Sequence, residues 1–403
     1  MKIPSSSPKS VVPLKPVYIF LSLLTGFFEL GCIVVLISLR TSAIQVLIAG
    51  LAYQLGNLTA STIRLSKKSI MLILSASTAL ICLYQYDKNF LFYSLSVLLV
   101  SIGIQKTRRL LLETIGQDGV SVFSKRTVRI IGFLLAGAAS GITLTIGVVV
   151  TLVVTILALV NIRIESLNAV YPKKAKGNRL AAIMVIHQSH YFSYALWIPL
   201  ILTYRSGVPI YLIGVCFIIG WLSYIYSERL FGRFNIFWVF IAGHILVAIS
   251  LIVIGTNIGN LILVLLAWFV SGLGGGSVFS LKRLNKTISS VPIDLDLWED
   301  VGHVSGVLVS IILTLLLTER FYNPFYVSAA IALLAALAMF LSRSRMIPAK
   351  PRFDHKAALE ISRGSCVVRT GDTEKPSVEA HEPTVLALSL TVMEPGCHKE
   401  RPA

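Results

Sequence analysis

The sequence predicts an all-α membrane protein, with twelve transmembrane helices as two six-helix bundles and both termini cytosolic. Three observations point there. Of the 403 residues, 55% are hydrophobic and only 14% charged, with a mean hydropathy of +0.79, whereas a soluble domain carries about a quarter of its residues as charges. The apolar residues gather in runs near the ~20 needed to cross a bilayer. The basic residues sit in the gaps between those runs, and on one side.

Spans are expected at about 17–39, 42–63, 69–86, 90–105, 127–142, 144–162, 180–204, 208–226, 235–254, 259–281, 301–318 and 324–342. The stretch 127–162 read as one helix would reach about 54 Å, far more than one bilayer, so two spans hinged near Ser140-Gly141 fit better. With the N-terminus inside, external loops hold four Lys/Arg up to Lys350, namely Arg40, Lys88, Arg205 and Arg320, and the cytosolic side holds 25. That is the positive-inside pattern, and merging 127–162 would invert it for every later loop.

The organisation expected is a cytosolic segment 1–16, a first six-helix bundle 17–163, a cytosolic linker 164–179 and a second bundle 180–345. A tail, 346–403, follows, polar and without amphipathic period from about Pro351, where disorder is expected. The first apolar run is too long for a signal h-region.

Several functions fall away. A net charge of +17 suggests nucleic acid, but the cations are spread between apolar runs rather than along one helix face. Cys32, Cys82, Cys216, Cys366 and Cys397 show no ligand spacing, so neither a disulfide framework nor a zinc site is expected. Gly272-Leu273-Gly274-Gly275-Gly276-Ser277 lacks the lysine and strand of a phosphate loop. Gly274 and Gly275 are read as packing or hinge positions. No nucleophile–base pair stands out, so no enzyme, cofactor or metal is expected.

Polar residues within spans are the candidates for chemistry, because a buried charge in lipid is costly unless paired, hydrated or neutral. Glu29 is the only charge between Val17 and Leu39, and it reads as a proton-coupling or substrate-binding acid, or as a neutral acid bonded to a neighbouring helix. In the seventh span His187, His190, Tyr191 and Tyr194 recur at three- and four-residue spacing on one face, with Trp197 on the same side. This stripe could face a polar cavity or form a seam satisfied by neighbouring helices. Gln54 and Asn57 share a face of the second span and could join that cavity. His244 is lone and reads as a satisfied buried histidine. Asp300 and His303, near the start of the eleventh span, read as a gate or as an end-of-helix charge cluster.

The turn Ser227-Glu228-Arg229-Leu230-Phe231-Gly232-Arg233 resembles the acidic-Arg-x-Gly-Arg turn of the major facilitator superfamily, with one extra residue. Its first-half counterpart, Arg64-Leu65-Ser66-Lys67-Lys68, keeps the charge and lacks the acid and glycine. The segment Glu299 to Val307 resembles that superfamily's glycine-rich eleventh span. Within the superfamily, Gly103-Ile104-Gln105-Lys106-Thr107-Arg108-Arg109 and His187-Gln188-Ser189-His190-Tyr191 are similar to segments of opine-type, staphylopine-like metallophore exporters. The resemblance covers about residues 15–345. It implies Glu228, Arg229, Gly232 and Arg233 as gating residues, and a cavity lined by spans 1, 4, 7 and 10.

The expectation is a secondary transporter in the cell inner or plasma membrane, exporting a small polar, zwitterionic or metallophore-like solute in exchange for protons. Its partners would be the solute, protons and the lipid bilayer, with no nucleic acid, and a monomer is expected. A nutrient uptake carrier and a non-transporting scaffold or sensor of the same fold remain the alternatives.

Overall fold

Hydrophobic runs of this length satisfy their backbone polar groups internally only as helices, and helices are what the chain forms. The structure, a computed structural model, describes residues 14–115, 122–162, 179–288, 293–316 and 323–346. The expected N-terminal segment, the linker and the tail fall almost wholly outside the described residues.

In the first half α1 spans Leu14–Ser38, α2 Ala43–Thr62, α3 Lys67–Asp87, α4 Phe90–Ile115, α5 Val122–Ala136 and α6 Gly141–Asn161. In the second, α7 spans Arg179–Ala195, α8 Trp197–Tyr204, α9 Ile210–Phe231 and α10 Ile236–Thr256. There follow α11 at Leu261–Gly275, a 3-10 turn at Gly276–Val278, α12 at Phe279–Ile288, α13 at Leu295–Leu316 and α14 at Pro324–Met346. Among the described residues ten helices are long and apolar enough to cross a membrane, the run Leu261–Thr287 counting as one. The chain is a multi-pass membrane protein. Of the remainder, α5 offers a shorter apolar stretch, Thr127–Ala136, and α7 and α8 adjoin at Leu196.

Local sequence explains the joints. Ser42 and Gln45 close a capping box at the start of α2, and Ser140 with Thr143 does the same for α6, satisfying N–H groups that helix starts leave open. Between α7 and α8, Pro199 lacks the N–H that would reach the carbonyl of Ala195, and its ring crowds that turn. The glycine run of the tenth expected span ends α11 and tightens into the 3-10 turn.

α1 packs on α5, α4 and α6, and α2 on α4; α7 packs on α13 and α14, and α10 on α11 and α14. Contacts between α2 and α13 and between α5 and α9 join the two sets. Large apolar side chains such as Leu72, Ile142 and Val160 stay exposed, which only a lipid environment makes favourable.

Candidate functional site

The centre of the molecule is built on a close approach of α1 and α5. A Cβ on Gly26 would lie 2.3 Å from the Arg129 carbonyl oxygen, and one on Gly132 would lie 2.2 Å from that of Leu23. Only glycine permits backbones this near. The approach sets Arg129 beside Glu29: Nε donates to Glu29 Oε2 at 3.0 Å, and Nη2 donates to the same oxygen. The guanidinium also covers the Trp221 ring of α9, 4.9 Å from its centroid. An apolar interior tolerates such charges because each is the other's partner.

Glu29 and Tyr191 line two adjoining spaces. One is walled by Tyr53, Gln54, Leu196 and Phe217. The other, of about 50 Å³, is walled by Arg129, His187, Trp221, Glu299 and His303. Trp221 Nε1 is buried there without a hydrogen-bond partner among the described residues. Such a wall offers one carboxylate, one guanidinium, aromatic faces and an unused donor to a small polar molecule.

The expected stripe divides. His187 and Tyr191 reach the cavity, whereas His190 and Tyr194 turn into packing against α10 and α11. Tyr194 shares a hydrogen bond with Ser271 at 2.9 Å. Trp197 starts α8 and donates through Nε1 to Ser310 at 2.7 Å, so it is held by α13. Of the second-span pair, Gln54 reaches the cavity. Asn57 donates to Gln54 at 3.0 Å and accepts from Ser101 at 2.7 Å, which fixes the Gln54 amide.

His244 is not alone. Its Nε2 lies 2.7 Å from His187 Nδ1, and its Nδ1 lies 2.8 Å from the Phe240 carbonyl. His244 is buried and satisfied as expected but not solitary, because His187 meets it from 57 residues away in sequence.

Polar ties join helices at two opposite ends. Ser61 of α2 donates to Asp300 of α13, and Arg109 of α4 reaches Ser61 Oγ at 2.5 Å and Asp300 Oδ2 at 3.4 Å. Lys282 pairs with Glu299 at 2.8 Å and Asp296 at 3.2 Å. His303 lies 4.0 Å from Glu299 and 3.9 Å from Asp300, its ring against Phe192. At the opposite end Tyr204 donates to the Ile37 carbonyl at 3.1 Å.

In the basic turns, Arg283 holds Glu228 at 3.1 Å and the Gly232 carbonyl at 2.9 Å, while Arg229 lies over the Tyr226 ring and Arg233 is exposed. In the first half Lys67 donates to the carbonyls of Leu159, at 2.8 Å, and Ile162. A Cβ on Gly274 would lie 2.4 Å from the Gly243 carbonyl, so this glycine serves close packing; Gly275 lines the cavity. Arg129, Trp221 and Ser61 were not singled out from sequence, and Arg109 entered only within the exporter-like segment 103–109. The signal for Arg129 was present, a lone cation inside an expected span, but it lies near that span's start and reads as part of the basic cluster before it.

No protein-family model matches the chain, and no curated protein matches it in sequence at a significant level. Solved structures do. The nucleoside transporter NupG is similar over 84% of this chain and 100% of its own, at 16% identity and a TM-score of 0.57. An auto-inhibited POT family peptide transporter is similar over 82% and 97%, at 12% identity and 0.58. The inward-open xylose transporter XylE from E. coli is similar over 84% and 96%, at 12% identity and 0.56. What the chain shares with these proteins is its fold, the arrangement of its helices.

Proposed function

We propose that the chain is a secondary active transporter that moves a small polar solute by alternating access. The observation that carries this reading is the Glu29–Arg129 pair on the wall of a central cavity, within a fold whose solved examples carry nucleosides, peptides and xylose. Adjacent charges of opposite sign suit a zwitterion, since each of its ends finds a counter-charge and Tyr191 and Trp221 supply flat apolar faces.

Twelve spans as six plus six, with cytosolic termini, place Glu29 near mid-membrane, where sites of such folds lie between the halves. Glu29 takes the solute and the proton in turn: its carboxylate and Arg129 grip the two ends of the entering zwitterion, and protonation of Glu29 from outside releases it. The Arg109–Ser61–Asp300 tie is the cytosolic gate, and the Tyr204–Ile37 contact belongs to the external one. Export in exchange for protons, of a zwitterionic or metallophore-like compound across the inner or plasma membrane, is the direction proposed.

The test profiles medium and cell extract of a deletion strain against the complemented strain by mass spectrometry. A small polar compound retained in the deleted cells and missing outside supports export and names the solute for vesicle assays. A compound left unused in the medium would replace export by uptake. No difference in any metal or nutrient condition would overturn the transport reading.

A further inference from the structure

Three buried imidazoles from two helices meet beside the central cavity. His187, His190 and His244 are 2%, 1% and 0% exposed, and one nitrogen from each lies within 4.8 Å of the others. His187 and His190 share a face of α7 at i, i+3, and His244 faces them from α10. The hydrogen bonds fix the tautomers. A carbonyl only accepts, so the contact with Phe240 puts the His244 proton on Nδ1 and leaves the Nε2 lone pair turned toward α7. His187 then donates to it through Nδ1. His190 has no hydrogen bond from either ring nitrogen among the described residues, which is unusual for a buried polar group.

We infer that His187, His190 and His244 form a binding site for a borderline transition-metal dication such as Zn2+ or Co2+. Three neutral imidazoles suit such ions and not Mg2+ or Ca2+, which take oxygen ligands. A tetrahedral ion with metal–nitrogen bonds of about 2.0–2.1 Å holds its ligands roughly 3.3 Å apart. That spacing falls between the 2.7 Å of the His187–His244 contact and the 4.8 Å limit, so ring rotations of about an ångström bring the three nitrogens to one point. His187 coordinates through Nδ1 by moving its proton to Nε2, with no change in charge. The Phe240 carbonyl orients His244, as ligand histidines are commonly oriented through their other nitrogen. His190 gains a partner for a lone pair that otherwise has none. His187 also lines the cavity, so the fourth coordination position opens toward water or a cavity occupant, the pattern of three-histidine sites that keep an exchangeable ligand.

The test uses the full chain, purified without a histidine tag and stripped with chelator, titrated with Co2+ alone and followed by visible absorption and calorimetry. One ion per chain in tetrahedral coordination is expected, with affinity falling about 100-fold or more in His190→Ala and His244→Ala, since even an outer-sphere partner is worth 10–100-fold. Histidines of the tail could also take Co2+, so signal that is unchanged in both variants, or absent from the parent protein, overturns the site. Because truncation could disturb the fold, His190→Cys is the second variant. A thiolate-to-cobalt charge-transfer band in monodisperse protein is expected, and its absence there overturns the site. None of these measurements depends on what the protein carries or whether it transports.

Discussion

Arg129 sends both Nε and Nη2 to a single carboxylate oxygen of Glu29, from a helix held against α1 by facing glycines. Both charges depend on that one geometry. Removing one should therefore cost more than removing both, because the survivor is left in an apolar interior. Arg129→Gln is expected to lower stability by about 3 kcal/mol, near the lower end of the range because the Arg129 side chain is 31% exposed. Glu29→Gln/Arg129→Gln should recover at least half of that. Chemical denaturation in detergent or in bilayers of adjustable composition reads the difference, and a double variant weaker than Arg129→Gln would remove the pair's role.

The proposed coupling gives a separate expectation for Glu29→Gln. The amide cannot exchange a proton, so solute should still equilibrate across vesicles but no longer accumulate when a pH gradient is imposed. Accumulation equal to that of the unchanged protein would exclude Glu29 as the coupling acid.

Tight helix contact makes Gly132 sensitive to one methyl group. Gly132→Ala places a Cβ 2.2 Å from a backbone oxygen that cannot swing aside, and overpacking of this kind costs about 1–3 kcal/mol. Gly259→Ala, whose Cβ would meet nothing within 4 Å, should stay within about 0.5 kcal/mol of the parent. Equal melting of the two variants would contradict the close approach.

Asp300 accepts from Ser61 and faces Arg109, tying α13 to α2 and α4. Asp300→Asn should loosen that end. A charged hydrogen bond is worth about 1.5–3 kcal/mol, so the open population should rise about tenfold or more. In a background with Gln188→Cys, which lines the cavity, thiol labelling from the Asp300 side should accelerate accordingly, and an unchanged rate would show that the tie does not hold that end shut.

The fold was legible where apolar length decides it, because run lengths marked the helices. Glu29 was visible because nothing else in its run carries charge. Its partner was not, because α5 begins at Val122 and carries Arg129 two turns inside, whereas hydropathy alone starts that span at 127. The stripe of α7 shows the limit of periodicity. It says which residues share a face, but α7 is enclosed on most sides, so His187 and Tyr191 can meet a cavity while His190 and Tyr194 meet neighbouring helices. Which residues meet across helices, His244 with His187 or Ser61 with Asp300, depends on packing that no local pattern encodes.

Pro199 has a mechanical consequence. By removing the N–H that would reach the Ala195 carbonyl it divides one expected span into two levers, α7 and α8. One lever carries His187 and Tyr191 and packs along α13; the other is pinned to α13 through Trp197 and rests through Tyr204 on the end of α1. The joint lets α8 tilt about its Trp197 anchor while His187 and Tyr191 keep their places on the cavity wall.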